Sequence, residues 1–196
     1  MPAANPDFIV WIDTETTGLD PESDLLLEIA VIITGNDLTE IGNFDVVIAP
    51  DVGAKETTER MNPFVREMHT NSGLIEAIRG PEAHRPRVAD ALAAGAIDRI
   101  AQGHEGPFLL GGNSITLDRG FLARHAPQTV SRLHYRSIDV SGIEQELARD
   151  GYGAQVAAWR DEFTPSRAHR ALGDVHDSIR QLTALRAIRR GEHAAT

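Results

Sequence analysis

Phe8–Leu19 reads FIVWIDTETTGL, and the way this stretch folds organises the rest of the chain. Phe8 to Ile12 is an unbroken apolar run with a bulky or β-branched side chain at each place, the pattern of a strand buried on both faces. The run stops at Asp13, and Glu15 follows two residues on. Side chains alternate along a strand, so Asp13 and Glu15 point the same way. Thr16, Thr17 and Gly18 then end the strand in a turn. Two carboxylates side by side at the end of a buried strand repel each other and lose hydration, and a divalent cation is the commonest reason to keep such a pair. Hard oxygen ligands at this spacing suit Mg²⁺ or Mn²⁺. The plainer alternative is a strand-end turn carrying two solvated acids.

Working outward, residues 25–34 (LLLEIAVIIT) give a second strong strand signal. Gly35-Asn36-Asp37 marks a turn, and residues 44–49 (FDVVIA) read as a third strand. Strands this close together leave no room for a crossover helix, so an antiparallel meander is expected. Residues 51–60 are charged and show no clear period. From Pro63 to Arg79 the pattern is helical, with Phe64, Met68, Leu74 and Ile78 as candidate buried positions and a break at Ser72-Gly73. Residues 88–100 favour a helix with Val88, Leu92, Ile97 and Ile100 facing inward. Residues 108–113 (FLLGGN) read as a short buried strand, after which Asn113-Ser114 supplies N-cap chemistry for a helix to His125. Residues 135–140 (YRSIDV) alternate like a strand, and Ser141 is placed to cap a helix over 142–149. A short helix over 155–163 and a long one over 171–190 close the chain, the latter with Val175, Ile179, Leu182 and Leu185 as its apolar stripe. The expectation is an α/β fold with a mixed sheet of about five strands, built as one domain over residues 1–196.

Composition narrows the function classes. With 196 residues, 41% of them hydrophobic, the chain can bury a sizeable core. The absence of cysteine excludes disulfides and thiolate metal sites and fits a reducing cytosol, so a cytoplasmic location is expected. No stretch is apolar for long enough to span a bilayer, and MPAANPDF lacks the basic and apolar regions of a signal peptide, so no membrane partner is expected. A net charge of −10 argues against a broad basic face that grips long nucleic acid, while leaving room for a short oligonucleotide held at a metal site.

Transfer at a phosphodiester commonly uses two ions and therefore more than two carboxylates. Asp118 lies one turn into the helix after the fourth strand, and Asp174 lies early in the last helix. Each adjoins a strongly apolar residue, Leu117 or Val175, so spacing alone leaves each facing either the sheet's edge or solvent. His169, five residues before Asp174, is placed to act as a general base. His176 and Asp177 are near in sequence, yet a helix would turn them to another side.

Asp13-x-Glu15, Asp118 and His169-x₄-Asp174 together resemble the superfamily of exonucleases defined by four acids and one histidine, whose fold is ribonuclease H-like. Within it the chain most resembles oligoribonuclease. Trp11–Pro21 resembles that family's first motif, with Thr14 and Thr16 where Leu and Met are usual. Residues 61–74 resemble the segment after the third strand, with Phe64 in place of Trp. GNSITLDRGFL (Gly112–Leu122) and HYRSIDVS (His134–Ser141) are close to two further motifs.

The resemblance implies a 3′→5′ exoribonuclease that degrades very short single-stranded RNA oligonucleotides, down to dinucleotides. Asp13, Glu15, Asp118 and Asp174 would hold two Mg²⁺ or Mn²⁺ ions, and His169 would deprotonate the attacking water. Leu19 and Phe64 match an apolar wedge between two bases, although Phe64 also reads as helix-core packing. Ser114, Arg136 and Ser141, with Asn113 beside them, match a cap on the substrate's 5′ phosphate, and Tyr135 matches a residue supplied across a homodimer interface. An Arg fork and helix-start hydroxyls suit a phosphate on physical grounds as well. The competing enzyme reading is a DNA-directed exonuclease of the proofreading type, which DTETTGL and the missing Trp favour and HYRSIDVS opposes. A binder that kept the fold and lost the chemistry is a third reading.

Overall fold

The computed structural model describes residues 7–166 and 169–192. The stretch read for a targeting signal lies, as far as Pro6, outside the described residues. The sheet has the order β3-β2-β1-β4-β5. Strands β1 (Phe8–Thr16), β2 (Leu26–Gly35) and β3 (Glu40–Val47) form the expected antiparallel meander. Strands β4 (Phe108–Gly112) and β5 (Leu133–Asp139) add in parallel on the other side of β1. Gly111 lets β4 approach closely, since a Cβ there would lie 2.8 Å from the Trp11 ring.

Helices α1 (Ala54–Arg60), α2 (Pro63–Asn71), α3 (Leu74–Ala77) and α4 (Pro86–Ile100) connect β3 to β4. Helices α5 (Thr116–His125) and α6 (Pro127–Val130) precede β5, and α7 (Val140–Leu147), α8 (Gly153–Glu162) and α9 (Ala171–Arg189) follow it.

β1 is buried on both faces because its even and odd residues feed two separate cores. Val10 and Ile12 pack with Ala93 and Ile97 of α4 and Phe121 of α5. Ile9 and Trp11 pack with Trp159 of α8 and with Val175, Leu182 and Leu185 of α9. Continuing that alternation past Ile12 sends Asp13 and Glu15 toward α9, and Thr14 toward α5.

Several local expectations need correction. Residues 54–60 form a helix despite their weak periodicity. Val88 and Leu92 face solvent, and α4 buries Ala89, Ala93, Ala94, Ala96 and Ile97 instead, because small side chains let the helix lie close on the sheet. Phe64 is 75% exposed and is no part of the core. Asn113 and Ser114 do not cap α5, whose N-cap position is Ile115. Nor does Ser141 cap α7: Asp139 does, accepting from the Gly142 N–H at 3.2 Å, which leaves Ser141 inside the first turn.

Candidate active site

The tip of β1 places Asp13 and Glu15 beneath the first turn of α9. One carboxylate oxygen each from Asp13, Glu15 and Asp174 lie within 4.8 Å of one another. This is the convergence that strand alternation and the placement of Asp174 at the start of a sheet-packed helix bring about. Asp118 approaches from α5 and is buried. Its Oδ1 accepts from the Thr14 backbone N–H at 2.9 Å and from the Thr14 hydroxyl at 2.7 Å. Both helical acids therefore face the tip of β1 rather than solvent.

The electrostatics show carboxylates short of positive charge. Burial, followed by repulsion from Asp118, Asp174, Glu15 and Glu28, holds the Asp13 carboxyl well above its ordinary range. Glu15 is pushed up to about 8, first by burial and then by Asp174 and Glu28, with Arg170 opposing. Asp174 is pushed up to about 6 by burial and the neighbouring Asp177, with His169 opposing. Burial raises Asp118 too, against the Thr14 hydrogen bonds. Buried acids that raise one another's proton affinity are poor structural elements and good ligands for hard cations, so the donor set fits divalent metal.

His169 is exposed at the edge of this cluster, close enough to Asp174 to act on its charge, and its φ of 41° puts it in the left-handed region. His176 and Asp177 turn away as expected: His176 Nε2 meets Glu40 at 3.0 Å, and Asp177 accepts from the Ser166 N–H and from Arg180.

Leu19 (76% exposed) and Phe64 (75% exposed) stand out as large apolar side chains left in water. Ser114 and Ser141 meet at 3.3 Å, and Ser114 sits at a φ of 50°, its N–H held by Asp139 at 3.3 Å. Asn113 is fully engaged within the chain. Its Nδ2 donates to Ser178 and Gln181 at 3.0 and 2.8 Å, and its Oδ1 accepts from Ser141 at 3.0 Å. Asn113 therefore braces the serine pair against α9 rather than presenting a free amide. Arg136 and Tyr135 are exposed on the edge strand β5, the guanidinium 5.3 Å from the ring centre.

Sequence reasoning missed three participants. Glu28, in β2 directly opposite Glu15, is buried and bound by Arg170, the residue after His169. An acid inside the apolar run LLLEIAVIIT was the available signal. His69 is fully buried, with Nε2 2.9 Å from the Thr16 carbonyl and Nδ1 3.8 Å from Glu15. Facing a carbonyl, Nε2 is the protonated nitrogen of the neutral ring, and burial favours that neutral form. Thr14, read only as a departure from a motif, holds Asp118.

A mixed sheet with a carboxylate cluster at the tip of its central strand suits metal-dependent hydrolysis, and the family model described as Exonuclease (RNase_T) matches residues 10–182, which places the chain among exonucleases. The chain is 45% identical over 178 residues to the oligoribonuclease of Mycobacterium sp. (strain KMS), covering 90% of this chain and 78% of that one. It is 42% identical over 185 residues to the oligoribonuclease of Leifsonia xyli subsp. xyli, covering 92% and 83%. The chain belongs to the oligoribonuclease family. Among solved structures it is similar to exonuclease I from Methylocaldum szegediense, with a TM-score of 0.64, 17% identity, and coverage of 94% of this chain and 41% of that one. An E. coli exonuclease I–single-stranded DNA complex matches at a TM-score of 0.61 and 18% identity, covering 93% and 42%. This chain spans about two-fifths of those longer proteins, and at such identity the likeness concerns the fold.

Proposed function

We propose that the chain is a 3′→5′ exoribonuclease acting on very short single-stranded RNA, down to dinucleotides. The observation that carries its hydrolytic core is the convergence of Asp13, Glu15 and Asp174 within 4.8 Å, with their proton affinities raised by burial and mutual repulsion. Asp13, Glu15 and Asp174, with Asp118 beside them, would hold two divalent ions, Mg²⁺ or Mn²⁺. Ions held there would supply charge neutralisation for an in-line displacement at phosphorus. His169 takes the proton of the attacking water, its exposed position letting it then release that proton to solvent.

The exposed Leu19 and Phe64 offer apolar surfaces to the substrate bases without reading their identity. Ser114, Ser141 and Arg136 receive the 5′ phosphate of a dinucleotide, and Asn113 supports the two serines. These contacts are local, which reconciles an acidic chain with an anionic substrate. Tyr135 lies exposed on an edge strand, in keeping with a homodimer in which it reaches the partner's site. The reading includes a cytoplasmic location, and no helix among the described residues is long and apolar enough to cross a membrane.

The DNA-directed alternative is not favoured, because identity to oligoribonucleases runs at 42–45% over about nine-tenths of the chain. The test compares a 5′-phosphorylated diribonucleotide with its deoxy counterpart, each with Mn²⁺ and with chelator. Rapid, chelator-sensitive cleavage of the RNA is expected. Faster cleavage of the DNA, or RNA cleavage that survives chelation, would overturn the proposal.

A further inference from the structure

Glu28 is 1% exposed and sits in β2 between Leu27 and Ile29, both wholly buried. It faces α9, as do Ala30 and Ile32 of the same strand. Both of its oxygens are occupied. Arg170 Nε donates to Oε1 and Oε2 at 3.0 Å each, Arg170 Nη2 donates to Oε1 at 2.5 Å, and the Ala171 N–H donates to Oε2 at 3.2 Å. One carboxylate thus grips a side chain and a backbone amide of two consecutive residues, 142 and 143 positions away in sequence. Glu28 stands outside the group formed by Asp13, Glu15 and Asp174, although its charge raises the proton affinity of all three.

Placing a fifth acid here works against the cluster unless it serves some end. A buried ion pair is weak evidence for stability, since desolvation offsets much of the attraction. Geometry is what this pair supplies. A guanidinium fork on a carboxylate fixes direction as well as distance. Arg170 is the N-cap residue of α9, and Ala171 contributes one of the helix's unpaired N–H groups. Gripping both pins the first turn of α9, on which Asp174 lies, to the strand facing Glu15. His169 directly precedes Arg170 and adopts a left-handed backbone, a conformation that persists only where its surroundings impose it.

We propose that Glu28 and Arg170 are positioning residues that hold His169 in register with the carboxylate cluster. The inference rests on the reading of His169 as general base. With Arg170 fixed at both its side chain and its successor's amide, the backbone has a fixed anchor immediately after His169. Arg170 also places positive charge beside Glu15, limiting the field that Glu28 adds there.

The test uses the full chain with Mn²⁺ and a 5′-phosphorylated diribonucleotide. kcat and KM are measured for Arg170→Lys and Glu28→Gln, alone and in a His169→Ala background, with melting temperatures recorded throughout. Arg170→Lys keeps the charge and loses the fork. It is expected to lower kcat by about tenfold or more with KM changed less than about threefold. In the His169→Ala background the same substitution should cost less than about twofold, because the group being positioned is gone. Equal fold-losses in both backgrounds, or a loss confined to KM, would overturn the proposal. If Glu28→Gln does not fold, Arg170→Lys carries the comparison. A His169→Ala enzyme as fast as the parent would instead sink the general-base reading itself.

Discussion

Replacing Glu15 by Gln should stabilise the metal-free protein at alkaline pH, although it removes a functional group. The Glu15 carboxyl moves from 4.5 to about 8 on folding, through burial and the charges of Asp174 and Glu28. An unfolded chain releases this proton near 4.5 and the folded chain near 8. Between those values the native state binds more protons than the unfolded state, so stability falls as pH rises through that window. At about 1.4 kcal/mol per tenfold change in proton affinity, the full difference is about 5 kcal/mol at pH 8 and above. A neutral amide escapes it. Parent and Glu15→Gln should therefore melt alike near pH 4.5 in chelator, and diverge progressively up to pH 8.5 with the variant more stable. Adding Mn²⁺ at pH 8 should raise the parent's melting temperature strongly and the variant's little, since the cation satisfies the charge that the variant lacks. The measurement is differential scanning calorimetry across pH, with and without metal. Parallel melting curves at every pH, or equal stabilisation of both proteins by Mn²⁺, would refute the claim that Glu15 lies in a buried, mutually repelling acid cluster.

Other outcomes follow from single contacts. Thr14→Val removes the 2.7 Å hydroxyl bond to Asp118 and keeps the 2.9 Å backbone bond, so kcat should fall about tenfold with the fold intact by circular dichroism. Phe64→Ala, at a residue 75% exposed, should leave stability within about 0.5 kcal/mol by urea melts while weakening dinucleotide binding by about tenfold in titration calorimetry. Arg136→Ala should slow cleavage of 5′-phosphorylated dinucleotides at least about tenfold more than unphosphorylated ones, and equal losses would remove the phosphate-cap role.

The main architecture was legible because it rests on unambiguous patterns. The Phe8–Ile12 run, the short links between the first three strands and the alternation that puts Asp13 beside Glu15 all follow from strand geometry. What the sequence hid was local competition. Whether Asp118 and Asp174 faced the strand or solvent was undetermined by spacing, and packing of Phe121 and Val175 into opposite cores decided it. At α7 the cap falls to Asp139, one residue before the helix, while the Ser141 hydroxyl turns to Asn113. Val88 and Leu92 drew attention by size, whereas alanines made the contact. Glu28 was masked by the very run in which it stands, and its partner lies 142 positions further along.

The segment bearing Phe64 has an apolar cluster of its own, formed by Leu27, Met61, Leu74, Ile75 and Ile78. His69 joins it to the end of the strand that carries the acids, through its bond to the Thr16 carbonyl and its approach to Glu15 at 3.8 Å. Its side chains are distinct from the two cores flanking the central strand, although Leu27 roots it in the same sheet. A side chain as exposed as Phe64 can consequently be exchanged without disturbing either layer that packs against the acid-bearing strand.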